Sequence, residues 1–329
     1  MTSNNYVVEF NGIKIKVIGA QGFESILNDF YLRYSFNDEK YDYTLSVELI
    51  ENFPYKQTHE SKTISGMGGA SYVKWLHKEN IIIQHQSAMI EYLIEHAGNY
   101  LTIYIKKDYK TQVNLYLSRL CREIFYRNLL NNYIPLHASC VTRDDKAIIF
   151  FGKKGRGKTT SFITLIKNFG YKPVSNDIIF VKENENNLHT YEIIGFPFKV
   201  AIGNSFLDKL PKSIETYEKL GDKVLLKPRE FCENLDTAWV WKSYLNKICI
   251  PNIQLDIQSG INILASDKVY RLLLEEGIEK KDWHDYLEIQ KNHDDQSHII
   301  KKISKNITSW ELFGNISEVN EKNIKALLN

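Results

Sequence analysis

From Tyr6 to about Lys110 the chain alternates apolar and polar residues in short runs: Val7-Val8-Glu9-Phe10, Ile13 to Ile18, Tyr43 to Leu49, Ile81-Ile82-Ile83 and Tyr100 to Ile105. A period of two with β-branched and aromatic enrichment predicts antiparallel strands, and Asn11-Gly12 between the first two runs predicts a tight hairpin. Near Thr111 the period lengthens. Val113, Leu117, Leu120, Cys121, Ile124 and Phe125 fall at helical spacing and continue to Leu129-Leu130, with Arg119, Arg122, Glu123 and Arg127 on other faces. Ile134-Pro135-Leu136 then leads into His137, and the Asp144-Asp145 turn signal makes residues 138–151 a hairpin. Phe162, Leu165, Ile166 and Phe169 mark the apolar face of the next helix, with Gly170 at its C-terminal cap, and Pro173 to Val181 reads as one strand. The last third is less regular. It predicts a helix over 204–221, a strand-like basic run from Lys223 to Arg229, an apolar Ile248 to Pro251, and a polar helical segment from about Asp267 to Lys305. The change of period divides the chain into a β-rich region, 1–110, and a mixed region, 111–329.

Composition narrows the classes. In 329 residues, 42 basic and 40 acidic side chains leave a formal charge of +2, which gives no bulk electrostatic grip on nucleic acid. Cys121, Cys140, Cys232 and Cys249 lack CxxC spacing and are expected as small buried hydrophobes in a reducing compartment. The first residues carry neither a basic region nor an apolar core of a signal peptide, and no run approaches eighteen apolar residues, so no membrane span is expected and the expected location is cytoplasmic.

The chemistry concentrates at one place. Gly152-Lys153-Lys154-Gly155-Arg156-Gly157-Lys158-Thr159-Thr160 fits GxxxxGK[ST], follows the apolar run Ala147 to Phe151 and precedes an amphipathic segment. Three glycines allow successive N–H groups to curl around an anion, and the following helix adds its positive end. Purine nucleotide binding is the working expectation, with Lys158 reaching the β/γ-phosphates and the Thr159 hydroxyl completing a Mg²⁺ shell. A glycine-rich turn with solvated lysines is the alternative. Gly66-Met67-Gly68-Gly69 lacks a following GK[ST] and reads as a turn. Asp177, eighteen residues beyond Thr159, is placed to bring a carboxylate to a metal or an accepting hydroxyl, against the alternative of a capping Asp. In His293-Asp294-Asp295-Gln296-Ser297-His298 the histidines are five apart and share no helix face, which disfavours a metal site.

The ordered set His137, the loop, then Ser175-Asn176-Asp177 resembles the catalytic domain of HPr kinase/phosphorylase and its stand-alone relatives, some of which sit beside lasso peptide biosynthesis genes. The resemblance is best from about Arg119 to Val181, and the first hundred residues do not resemble the regulatory domain of the HPr enzyme. It implies an α/β (α+β) fold, a P-loop kinase domain of the HPr kinase/phosphoenolpyruvate carboxykinase type behind a β-rich N-terminal half. It also implies an ATP- and Mg²⁺-dependent kinase that phosphorylates a serine or threonine hydroxyl of a peptide or protein, such as a ribosomal peptide natural-product precursor. Residues carried over are Lys158, with Asp177 or His137 for acid–base or orienting work, and Glu192 in Glu192-Ile193-Ile194-Gly195, similar to a family element that helps the metal site. Where the family has two adjacent carboxylates this chain has Asn176 then Asp177, and an amide cannot accept the hydroxyl proton, which puts the reverse reaction in doubt. Lys153, Lys154 and Arg156 also depart from the small or acidic residues usual in that loop. They read either as added charge near the phosphates or as a solvated tip, and His137 either as functional or as a core histidine. Lys199, Lys227 and Arg229 are candidate clamps. A nucleotide-binding regulatory module without phosphotransfer, and an enzyme similar to phosphoenolpyruvate carboxykinase, are the rival readings. No nucleic-acid or membrane partner is expected, and homo-oligomerisation stays open.

Overall fold

The computed structural model describes residues 5–36, 40–65, 71–86, 91–185, 187, 189–203, 218–253, 259–279, 285, 287–289 and 297–314. Contacts divide the chain into two compact units, 1–131 with 281–292, and 132–280 with 293–329.

The first unit contains β1 (Tyr6–Phe10), β2 (Ile13–Ile18), α1 (Glu24–Asp29), β3 (Arg33–Ser35), β4 (Tyr43–Ile50), β5 (Lys62–Ser65), β6 (Ser71–His77), β7 (Asn80–Gln86), β8 (Glu91–Ala97), β9 (Tyr100–Lys106) and α2 (Val113–Leu129). The strands form one sheet in the order β3-β1-β2-β4-β9-β8-β7-β6-β5. Asn11 and Gly12 take φ of 49° and 81°, the left-handed pair that a two-residue β1–β2 hairpin needs. The sheet is not wholly antiparallel as its alternation suggests, because β4 runs parallel to both β2 and β9. Alternation reports which face is buried and is blind to strand direction.

Helix α2 belongs to this unit, so the boundary lies after Asn131 and not after 110. Its Leu117, Leu120, Ile124 and Phe125 are buried, Phe125 packs on Phe10 with ring centroids 5.6 Å apart, and the Tyr43 hydroxyl donates to Asn128 Oδ1 at 3.1 Å. An amphipathic helix goes with whatever covers its apolar face, which its sequence does not name. The helix also holds a buried ion pair, Arg127 Nε to Glu123 Oε1 at 2.9 Å, with Asp285 Oδ1 3.8 Å from Arg127.

The second unit contains β10 (Ile134–His137), β11 (Ser139–Arg143), β12 (Lys146–Phe150), α3 (Lys158–Phe169), β13 (Lys172–Ser175), β14 (Ile178–Glu183), β15 (Tyr191–Gly195), β16 (Val200–Gly203), β17 (Glu218–Leu220), β18 (Lys223–Leu226), α4 (Pro228–Leu235), β19 (Lys242–Asn252), β20 (Gly260–Ile263), α5 (Ser266–Leu272), α6 (Ser297–Asn306) and β21 (Thr308–Phe313). The main sheet runs β10-β14-β15-β19-β12-β11-β13, with β21 on β19 and β20 on β21, while β16-β18-β17 form a small sheet. Asp144 and Asp145, φ 53° and 59°, close the β11–β12 hairpin where the turn signal lay. One core cluster packs Phe162, Leu165 and Ile166 of α3 against Ile148, Phe150, Phe231 and Cys249.

Several segments differ from their sequence reading. The strand expected over 173–181 is broken at Asn176-Asp177 into β13 and β14, because β13 pairs with β11 and β14 with β10. The helix expected over 204–221 has residues 204–217 outside the described set, and Glu218–Leu220 is a strand. The run 223–229 is β18 followed by α4, which starts at Pro228, a residue suited to a first helical turn. The segment 267–305 contains α5, a π-helical turn Leu273–Gly277 and α6. Gly66 to Gly69 and His293 to Gln296 lie outside the described residues. All four cysteines are free and buried, as their spacing suggested, and burial pushes the Cys121 thiol up to about 12. Among the described residues no helix is long and apolar enough to cross a membrane.

Candidate phosphate-binding site

Strand β12 is buried between β11 and the parallel β19, and at its end Phe151 N still donates to Cys249 O at 3.4 Å. Beyond it the glycines take over. Gly152, Gly155 and Gly157 have φ of 130°, 85° and 102°, values a side chain would strain. Gly157 is also pressed on Ile253, so that a Cβ there would lie 2.5 Å from Ile253 Cδ1. Arg156 N donates to Lys153 O at 3.3 Å, and the Arg156 carbonyl accepts from Ile253 N at 3.1 Å while its guanidinium bonds Asn252. Arg156 is thus tied to the end of β19 and the residue after it and is not a solvated tip, whereas Lys153 and Lys154 are exposed.

Helix α3 starts at Lys158 with no side-chain cap, and its first helical bond is Ser161 N to Gly157 O at 2.9 Å. The N–H groups of Lys158, Thr159 and Thr160 therefore have no partner within the helix, and the helix dipole adds positive potential at the same point. Lys158 Nζ folds back to donate to Gly152 O at 2.6 Å and Lys153 O at 3.4 Å, strapping the loop into a ring. Burial depresses its pKa most, opposed by the charges of Asp177 and Glu276, with Lys223 adding to the depression. At the far end Gly170, φ 68°, caps the helix as predicted.

Two chain bends meet beside this loop. The strand 134–143 changes partners at Ala138, and the chain 172–183 changes partners at Asn176-Asp177. Ala138 N donates to Asp177 O at 2.9 Å, Ser139 Oγ to Asn176 O at 3.0 Å and Oδ1 at 3.2 Å, and Ser175 Oγ to Ile178 O at 2.7 Å. These bonds stitch the bends together and project His137 and Asp177 from neighbouring points, with His137 Nδ1 3.2 Å from Asp177 Oδ1. Their side chains are 37% and 38% exposed, so neither is the core histidine nor the buried cap of the plainer readings.

Two carboxylates that sequence reasoning missed complete the group. Glu276 lies 3.8 Å from Lys153 Nζ, and its Oε2 sits over Gly152. Glu279 Oε2 lies 3.3 Å from His137 Nδ1 and its side chain is 5% exposed. Both sit in or just after the π-helical turn, where Gly277 packs against Leu273 and Phe151. Nothing in the spacing from the loop, over a hundred residues, could have linked them to it. The one local signal was Gly277, which ends an acidic pair where a helical pattern stops.

Other expected residues fall elsewhere. Glu192 is level with Tyr244 of β19, itself level with Lys146 of β12, which is six residues and about 20 Å upstream of Gly152. Because β15 returns antiparallel to β14, Glu192 lands at the opposite end of the sheet from Asp177. There it accepts from the Tyr133 hydroxyl at 2.7 Å and pairs with Lys242. Lys199 pairs with Glu218, Lys227 lies 4.0 Å from Glu230, and Arg229 bonds Glu233 at 3.0 Å, so each candidate clamp is engaged locally. Among the described residues no group of three His, Cys, Asp or Glu is arranged to hold a metal ion by itself. Magnesium on a nucleotide does not require one, since phosphates and waters supply most of its oxygens and the protein one or two. A glycine ring with left-handed backbone, an uncapped helix start, a strapped lysine and the Thr159 hydroxyl fit a phosphate chain with such an ion.

No protein-family model and no curated protein matches this chain. Among solved structures, the Hpr(Ser) kinase/phosphatase from Coxiella burnetii is similar over 59% of this chain and 98% of its own, at 11% identity and a TM-score of 0.29.

Proposed function

We propose that the second unit binds a purine nucleoside triphosphate with Mg²⁺ on residues 152–160 and transfers the γ-phosphate to a hydroxyl of a peptide or protein. The observation that carries this reading is the β11–β12 register, Ser139 against Phe150, which brings the His137–Asp177 pair to the end of β12 where the loop begins. An anion-binding ring alone would support binding. A carboxylate and an imidazole at its mouth supply what transfer needs in addition, since phosphoryl transfer depends on positioning and charge neutralisation more than on covalent help.

Lys158 and the first-turn amides of α3 hold the phosphate oxygens, and the Thr159 hydroxyl and the Asp177 carboxylate are the protein oxygens available to the metal. Mg²⁺, when bound, supplies the charge that offsets the phosphates. Asp177, at hydrogen-bonding distance from His137, accepts or orients the proton of the acceptor hydroxyl. Asn176 takes no part in proton transfer, because an amide is no base and its oxygens already accept from Ser139.

The test is transfer of labelled phosphate from ATP to hydroxyl-bearing peptides by the parent protein and by Lys158→Ala. The reading expects the variant to lose at least about tenfold in nucleotide affinity, the worth of a charged hydrogen-bonding group, and its label transfer with it. Equal labelling by the two proteins sinks the assignment. Asn176 favours one other reading, a nucleotide-binding regulatory module. Tight binding with neither phosphorylated product nor released phosphate would select it.

A further inference from the structure

The nitrogen His137 Nδ1 faces two carboxylates, Asp177 Oδ1 at 3.2 Å and Glu279 Oε2 at 3.3 Å. A carboxylate can only accept, so in the neutral ring the hydrogen resides on Nδ1. A lone pair there would face two anions. The two partners are held differently. Asp177 sits on a two-residue bend and is 38% exposed. Glu279 is 5% exposed and fixed from behind: Leu136 bridges Ile278 in antiparallel fashion, and Glu279 N donates to Pro135 O at 3.1 Å. That register sets residue 279 opposite 135, which makes His137 its diagonal neighbour on the same face, within reach of a long side chain but not of a short one.

We propose that Glu279 is the positioning residue for His137. It anchors the Nδ1–H and leaves Nε2 as the lone-pair nitrogen, so that Asp177 can turn to an acceptor hydroxyl without loosening the ring. The division of labour follows from exposure and tethering: the buried, tethered carboxylate holds and the exposed one works. A histidine whose second nitrogen is fixed by a hydrogen bond presents one defined tautomer. The catalytic consequence rests on the phosphotransfer reading above. The tautomer does not.

The experiment is a long-range proton–nitrogen NMR spectrum of the full chain with ¹⁵N-labelled histidine, the His137 ring assigned by its loss in His137→Gln. The expected result is an Nδ1–H tautomer in the parent protein that survives in Asp177→Asn and is lost in Glu279→Gln, where an amide NH₂ can turn its donor to Nδ1. Glu279→Asp, too short for the diagonal, should lose it as well and serves if the glutamine variant does not fold. An Nε2–H tautomer in the parent, or an Nδ1–H tautomer retained in the Glu279 variants, overturns the proposal. With phosphotransfer in hand, Glu279→Gln should lower kcat by about tenfold or more while leaving the nucleotide KM within about twofold. An unchanged kcat removes the catalytic part of the proposal. If the tautomer behaves as expected and the parent transfers no phosphate, the positioning stands and the phosphotransfer reading falls.

Discussion

Glu192 shows how a residue can satisfy a motif and miss a site. Its carboxylate is held by Tyr133 and Lys242 near the start of β12, a strand's length from the loop. Burial raises its pKa, but the bonds from Lys242 and Tyr133 outweigh it and hold the carboxyl below its ordinary 4.5. A carboxyl whose folded-state pKa is depressed stabilises the fold above its unfolded pKa, and that stability is lost as pH falls through the lower folded value. Glu192→Gln is therefore expected to cost about 1–2 kcal/mol at neutral pH, with a cost that shrinks below pH 4.5, measured by urea unfolding across pH. Nucleotide affinity should stay within about twofold. A large loss of Mg²⁺-dependent binding in this variant would return Glu192 to the metal site. Asp177 and His137 are the reverse case: spacing from the loop made the first a candidate and a family resemblance the second, and a shared bend of two chain segments made them neighbours.

At the scale of elements, the loop and α3 form one device whose glycines are not interchangeable. Gly155 has open space where a Cβ would be, so only its φ matters there. Gly157 has both a φ of 102° and Ile253 in the way. If the proposed nucleotide site is right, Gly157→Ala should lower nucleotide affinity by more than about tenfold, since strain of about 1–3 kcal/mol falls on the amides that would face the phosphates. Adding Ile253→Ala should restore part of it, the steric part, in calorimetric titration. Helix α2 makes the other element-scale prediction. Glu123 and Arg127 are one turn apart with side chains 1% and 4% exposed, and burial raises the Glu123 pKa against the pull of Arg127. Removing one partner strands a charge in the interior, so Arg127→Met should destabilise by about 3–5 kcal/mol in urea unfolding, and Glu123→Met with Arg127→Met should recover most of that.

At the scale of the molecule, the two units set where the chain can be cut. A fragment 111–329 carries α2 away from the sheet that covers Leu117, Ile124 and Phe125, and should bind a hydrophobic dye and aggregate more than fragment 132–329. Equal dye binding by the two would restore the boundary at 110. Much of this architecture was legible beforehand. The Asn11-Gly12 and Asp144-Asp145 turns, the span of α2, the Gly170 cap and the strand–loop–helix from Ala147 to Phe169 all depend on local backbone preference and the spacing of apolar residues, which neighbouring residues carry in themselves. Other features depend on which distant segments meet. The parallel placement of β4, the break at Asn176-Asp177, the removal of Glu192 to the far end of its sheet and the arrival of Glu276 and Glu279 are set by strand order and direction. Those are decided by how buried faces match across the whole unit, a choice among long-range pairings that no stretch of sequence encodes alone. The amino-acid sequence by itself determined a glycine-rich strand–loop–helix and the side chains available to it; tertiary packing decided which carboxylates stand beside it.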